Sequence, residues 1–411
     1  MTRTDRSGAR TVGVVVTLAA VALVMACAAA ALPGTGATAR APRALHQRAT
    51  FQLPAIKHVF VIVLENETYG ATFGKPTADP YLAKTLVSHG ALLKNYYGIG
   101  HNSNDNYIAL VSGQPPNADT QADCQKFVNF PTGELVANGL EPGKGCVYPR
   151  DVPTIGNELT TKGRTWKGYE QDMGNVPARE AAVCGHPKIG SADHTEVAVK
   201  YDGYASRHDP FVYFHSVINS SGYCDAHVVP LGSPTGAMPP SAPKTTTGLV
   251  RDLRHASTTP NLSFITPNLC NDGHDYPCVN QKSGASRLAD IDTFLGTWVP
   301  KILASPAYKA DGMLIVTFDE SESFLFDSTA CCSEKPGPTG VKPGLNGPGG
   351  GRIGAVLISR YIRPGTVVGK YSYNHYSLLA TLEKIFRVPL LGDARTVPTT
   401  FGHEVFNQLA G

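Results

Sequence analysis

Residues 96–113 read YYGIGHNSNDNYIALVSG, a glycine-opened turn crowded with His101, Asn102, Ser103, Asp105 and Asn106 before the apolar Ile108, Leu110 and Val111. A serine at the mouth of a helix has free backbone N–H groups and the positive helix end beside it, which favours a phosphate or another oxyanion. A metal ion beside its hydroxyl would lower the pKa and make the oxygen a nucleophile. Plain N-capping, which serine, asparagine and aspartate all do well, is the other reading of this stretch. Glu65-Asn66 and Asp319-Glu320 each follow a strongly apolar run. Carboxylates and an amide oxygen converging there make a hard, oxygen-rich site for a divalent cation, whereas a single such pair serves equally well as a cap. Three further histidines sit in Asp- and Asn-rich turns: His208-Asp209-Pro210, Asp272-Gly273-His274-Asp275 and Asn374-His375-Tyr376. Imidazole is the common general acid near neutral pH and holds a phosphate oxygen when protonated.

These groups need a scaffold. Residues 58–64 (HVFVIVL), 211–214 (FVYF), 313–318 (MLIVTF) and 353–359 (IGAVLIS) are continuous apolar runs that predict strands buried on both faces. Helical patterns fall around 81–89, 287–303 and 376–386. The alternation predicts an α/β fold, a mostly parallel sheet sandwiched between helices, in which ligands sit at the carboxyl ends of the strands. The Pro-, Ser-, Thr- and Gly-rich residues 232–247 and the Gly- and Pro-rich residues 333–351 read as long loops, because strand signals resume after each. No internal repeat is seen, and one domain over 55–411 is expected.

Arg3, Arg6 and Arg10 precede an almost wholly apolar stretch, 11–32, and Ala37-Thr38-Ala39 offers a small-residue cleavage site. Residues 1–39 therefore read as a secretory signal peptide, with a lipid anchor at Cys27 as the alternative, and 40–54 as a flexible lead-in. Cleavage would remove three arginines and one aspartate, taking the net charge from +3 to +1. No basic excess then argues for nucleic acid, and no stable membrane span remains. Of nine cysteines, eight lie beyond the leader, an even number that suggests disulfides in an exported chain. Cys124–Cys146 and Cys270–Cys278 are expected as local pairs, while Cys331-Cys332 is either a vicinal bridge or two bonds elsewhere.

Seven blocks together resemble the bacterial phosphoesterase family of secreted acid phosphatases and phospholipases C, with the alkaline phosphatase-like fold. They are IKHVFVIVLENETYGATFG (56–74), NYYGIGHNSNDNYIALVSGQ (95–114), WKGYEQDM (166–173), RHDPFVYF (207–214), TPNLCNDGHD (266–275), LIVTFDESES (314–323) and YNHYSLLATLEKIF (373–386). The resemblance implies a divalent metal held by Glu65, Asn66, Ser103, Asp319 and Glu320, with Ser103 also the nucleophile. It implies that Asn106 holds the phosphoryl oxygen and that His208 and His274 line the phosphate pocket, with His101 and His375 as further carry-overs. Many members have Pro-Ser-Leu-Pro-Asn where this chain has Asn102-Ser103-Asn104-Asp105-Asn106, so the serine and last asparagine match but the prolines do not. The implied activity is hydrolysis of phosphate monoesters on a small molecule or a phospholipid headgroup. Phospholipase C or other phosphodiesterase activity is the nearest alternative, and an inactive secreted binding protein is the alternative of another class.

Overall fold

The computed structural model describes residues 51–131, 133–279, 286–322, 325 and 327–408. The expected leader, 1–39, and residues 40–50 of the lead-in fall outside the described residues.

Among the described residues ten strands form: β1 His58–Leu64, β2 Ala91–Leu93, β3 Tyr96–Tyr97, β4 Trp166–Glu170, β5 Val228–Pro230, β6 Leu262–Thr266, β7 Gly312–Phe318, β8 Ala355–Ser359, β9 Thr366–Val368 and β10 Tyr373–Asn374. Eight make one sheet in the order β5-β4-β6-β1-β7-β8-β2-β9, and β3 pairs with β10 apart from it. Strand β8 runs antiparallel to both its neighbours, β7 and β2, and the other pairings of the large sheet are parallel. Every residue of β1 and β7 is buried. Their β-branched side chains are covered on both faces, as a parallel sheet under helices requires. Each such side chain contributes roughly 1.5–3 kcal/mol by leaving water. The expected α/β class therefore holds, and one unit runs from Phe51 to Gly411.

The register decides where chemistry can be placed. Leu64 at the end of β1 lies beside Phe318 at the end of β7, so Glu65 and Asp319 emerge as neighbours on one sheet edge. On the other side of β1, β6 ends at Thr266 and leads to Asp272 and His274 at the same edge.

One expected strand is not one. Residues 211–213 lie in a 3₁₀ turn, Pro210–Tyr213, in which the Asp209 side chain accepts from Phe211 N and Pro210 takes the first helical position; only Phe214 is extended, as an isolated bridge to Tyr148. Proline and an aspartate cap favour a helical start, and a four-residue apolar run carries too little periodicity to oppose them. The strand in this part of the sheet is instead β4, whose Trp166 packs against Phe211 with ring centroids 4.4 Å apart and planes tilted by 39°.

Among the described residues four disulfides form: Cys124–Cys146, Cys184–Cys224, Cys270–Cys278 and the vicinal Cys331–Cys332. Both local pairs are as expected, and the vicinal alternative is the one adopted.

Candidate active site

Ser103 opens a ten-residue helix, Ser103–Ser112, buried at every position. Asn102, at φ 78, turns the chain sharply into it. Glycine is needed in the preceding turn for lack of room. A Cβ on Gly98 would stand 2.7 Å from the Asp319 carbonyl oxygen, and one on Gly100 would stand 2.4 Å from the Asp105 carboxylate. The turn thus lies flat against the Asp319-Glu320 edge.

At its end, Ser103 Oγ donates to Glu65 Oε2 across 2.9 Å. Asn66, in the left-handed region at φ 59, donates its backbone N–H to Asp319 Oδ1 at 3.1 Å and its side-chain amide to Glu65 Oε2 at 3.1 Å. Asparagine tolerates that conformation, which brings strand end, amide and both carboxylates together. Burial and the neighbouring Asp319 and Asp272 charges push the Glu65 carboxyl well above the usual range. Burial likewise lifts Asp319 to about 7 and Glu320 well up.

Four of the five expected metal ligands are thus tied directly together, and Glu320 follows Asp319 in sequence. The remaining question is whether they fit a cation. Glu65 Oε1, Asp319 Oδ2 and His208 Nε2 are buried without a hydrogen-bond partner. His208 Nε2 lies 3.4 Å from Glu65 Oε1, and its Nδ1 lies 3.2 Å from Asp272 Oδ2. Burial, Arg207 and His274 hold the His208 imidazole well below its ordinary pKa. A neutral ring has one proton for two carboxylates, so one contact sets acceptor against acceptor. A divalent cation at the Glu65–Asp319 edge would answer these orphaned acceptors, and the oxygen-rich donor set suits one.

Glu65, His208 and His274 also bring ligand atoms within 4.8 Å of one another. That corner is furnished differently. Arg207 Nη2 lies 3.1 Å from His274 Nε2, and His274 Nδ1 is 2.8 Å from Asp275 Oδ1. Arg207 is buried at 1 % exposure, and Nη1 binds the Glu196 carbonyl at 2.9 Å and its carboxylate at 3.3 Å. A fixed guanidinium where a second cation would lie repels it and instead suits an oxyanion.

The other expected residues are bonded to the turn and to the Asp319-Glu320 segment. Asn106 Oδ1 accepts from the backbone N–H of Ile99 at 2.8 Å and Gly100 at 2.9 Å. Its amide nitrogen donates to the Gly100 and Asn102 carbonyls and, at 3.3 Å, to Glu320 Oε2. The structure therefore places Asn106 as the clasp of the glycine turn. His101 spans Glu320 Oε2 at 3.2 Å and the Asp327 carbonyl at 3.0 Å, and burial lowers its pKa. His375 has Nε2 2.6 Å from the Asp319 carbonyl and Nδ1 3.1 Å from the Tyr96 hydroxyl, with burial pushing its pKa down to about 4. Both histidines thus contact the Asp319-Glu320 segment.

Sequence reasoning missed Arg207 and Tyr107, whose ring stacks on His208 at 5.2 Å and 5°. Adjacency to His208 was the available signal for Arg207.

The model of the Phosphoesterase family matches residues 75–389, and the chain belongs to that family. It is, by family, a phosphoric ester hydrolase. A phosphatidylinositol-3-phosphatase from Mycobacterium tuberculosis is 26% identical over 346 residues, 84% of this chain and 82% of that protein. A phosphate-repressible acid phosphatase from Penicillium chrysogenum is 27% identical over 337 residues, 80% of this chain, and the chain spans only 59% of that protein's length. Among solved structures, a protein in the alkaline phosphatase superfamily from Vibrio parahaemolyticus aligns with a TM-score of 0.46 and 15% identity, over 84% of this chain and 71% of that one.

Proposed function

We propose that the protein is a secreted, divalent-metal-dependent phosphomonoesterase using Ser103 as its nucleophile. The observation that carries the reading is the buried Ser103 Oγ, at the start of a helix and 2.9 Å from Glu65, beside carboxylate oxygens with no partner. Glu65, Asn66, Ser103, Asp319 and Glu320 would hold the metal. When bound, it supplies positive charge that favours the alkoxide of the serine and neutralises the phosphoryl oxygens.

The chain's own groups do the rest. Glu65 accepts the Ser103 hydroxyl proton in a hydrogen bond, which fixes Oγ and turns its lone pairs toward the site. Ser103 Oγ forms a bond to phosphorus as the bond to the leaving oxygen breaks, giving a phosphoserine that water then hydrolyses. The helix start and Arg207 offer donors and positive charge to the equatorial oxygens. His274, the most solvent-open of the site histidines with 28% of its side chain exposed, is placed to protonate the leaving oxygen, its ring aimed by Asp275. His208 is held neutral and serves as an acceptor, so the proton-donating role goes to His274.

The monoester reading is supported by the relatives, a phosphatidylinositol-3-phosphatase and acid phosphatases. Export is supported by four disulfides, which persist in oxidising compartments. Among the described residues no helix is long and apolar enough to cross a membrane. The deciding test compares hydrolysis of p-nitrophenyl phosphate and p-nitrophenyl phosphorylcholine from acid to alkaline pH, with and without chelator, in the parent and Ser103→Ala. Chelator-sensitive monoester cleavage that falls at least about a thousandfold in Ser103→Ala is expected. Preference for the choline diester would move the assignment to a phosphodiesterase, and turnover surviving in Ser103→Ala would remove the nucleophile.

A further inference from the structure

The donors at the mouth of the Ser103 helix are not all free. Asn104, the residue after Ser103, gives its backbone N–H to Asp123 Oδ1 at 3.0 Å. In the first turn of a helix such N–H groups have no partner within the helix, and they are the donors a phosphoryl oxygen takes. A carboxylate of the same chain is already seated on one of them.

That seat is built into the fold. Asp123 and Cys124 both lie in the left-handed region, at φ 53 and φ 52, and Cys124 is tied to Cys146. Cysteine gains nothing from that conformation, so the surroundings impose it. Asn102, just before Ser103, donates its side-chain amide to the Gln121 carbonyl, and the Gln121 amide reaches the Lys342 and Pro343 carbonyls at 2.6 and 2.8 Å. The Asn104 side chain in turn donates to the Arg207 carbonyl at 3.2 Å. The loop thus clasps the chain on both sides of the nucleophile and leaves Asp123 half-buried at the rim.

The same carboxylate bears on Arg207. Burial lowers the pKa of that guanidinium, and the carboxylates around it more than restore it, Asp123 ahead of Glu196, Glu65 and Asp272. Among the described residues Glu196 alone makes an ion pair with Arg207, at 3.3 Å, so Asp123 acts across a gap. A phosphoryl oxygen taking both the Asn104 N–H and Arg207 would meet that charge. Capping explains the hydrogen bond, but asparagine caps a helix as well as aspartate does. What the charge adds is competition with an anion.

We propose that Asp123 is an internal competitor for the phosphate seat: its carboxylate holds the Asn104 N–H while the site is empty, yields it to the phosphoryl group of an arriving ester, and returns to expel inorganic phosphate after hydrolysis. The exchange with an ester rests on the proposed function; the competition with phosphate stands on the geometry. A dianion gains more from Arg207 and the helix start than a carboxylate does, so the exchange runs forward on arrival. A site this rich in donors would otherwise retain its product, and product release sets kcat in many enzymes.

The test compares the parent with Asp123→Asn, which keeps an oxygen for the Asn104 N–H and tolerates the left-handed backbone, and with Asp123→Ala, which supplies no acceptor. Inorganic phosphate is titrated into each full mature protein by calorimetry under one divalent-ion condition, and p-nitrophenyl phosphate kinetics and melting temperatures are read on the same preparations. In Asp123→Asn, phosphate binding is expected to tighten about tenfold and KM to fall with it, while kcat does not rise and the melting temperature is unchanged. Phosphate affinity in Asp123→Asn equal to or weaker than the parent's overturns the inference, as does a parent that takes up no phosphate. A joint loss of affinity, turnover and melting temperature confined to Asp123→Ala also overturns it, because Asp123 would then be a cap alone. A kcat that rises in Asp123→Asn removes the role in product release. Tighter phosphate binding in Asp123→Asn by a protein that cleaves no ester would keep the competitor and remove the phosphoesterase reading.

Discussion

Arg207 Nη2 donates to His274 Nε2 across 3.1 Å. A guanidinium only donates, so Nε2 of the neutral imidazole must accept, and the ring's single proton lies on Nδ1, bonded to Asp275 Oδ1 at 2.8 Å. The pair therefore rests in a self-satisfied state. An arriving phosphate offers Arg207 a stronger acceptor, and the freed Nε2 takes a proton from solvent, which it then passes to the leaving oxygen.

This relationship makes Arg207 testable. Arg207→Lys keeps a charge but loses the planar fork that reaches Glu196 and His274 together. We expect kcat/KM for a phosphomonoester to fall by roughly tenfold to a hundredfold, with most of the change in KM. Unchanged KM with a collapse of the melting temperature would assign Arg207 to the fold alone.

The crowded carboxylates give the metal-free protein an inverted pH profile. Asp319 keeps its proton to about 7 in the fold, whereas its ordinary value is 3.8. Between those values the folded state binds more protons than the unfolded one. Stability is therefore full below the lower value and is lost as pH rises through the higher, at about 1.4 kcal/mol per pH unit for each such proton. Glu65, Glu320 and Asp272 are shifted the same way, chiefly by burial. Chelated protein should therefore melt lower at about pH 8 than at about pH 5, and an added divalent cation should raise the melting temperature most at the higher pH. A melting temperature indifferent to every divalent ion would remove the cation from the Glu65–Asp319 edge.

Much of this arrangement was legible because sequence position and sheet position coincide. Glu65-Asn66 and Asp319-Glu320 each end a long apolar run, and long runs report buried parallel strands well. What the sequence could not show is lateral order: that β1 and β7 are neighbours is a fact of topology. The short FVYF run misled because four residues do not separate a strand from a proline-started turn. Arg207 escaped because nothing local distinguishes a buried arginine from a surface one; its burial depends on Glu196 and His274, 11 and 67 residues away. Asn106 lies in the turn that the family pattern marks, and its bonds to Ile99, Gly100, Asn102 and Glu320 depend on chain geometry that sequence does not display.

Asn106 is where those two readings part. The resemblance gives it a phosphoryl oxygen to hold, whereas its amide closes the turn between Ile99 and Gly100 and reaches Glu320. Asn106→Ala leaves two buried backbone N–H groups without a partner, each worth about 1–3 kcal/mol when orphaned. The turn that carries Ser103 would loosen with them. A loss of about 2–5 kcal/mol in unfolding free energy is expected, together with a fall in kcat, since Ser103 would no longer be held against Glu65. Denaturant unfolding and steady-state kinetics on the same preparation decide it. A raised KM with unchanged stability would return Asn106 to direct contact with the phosphate.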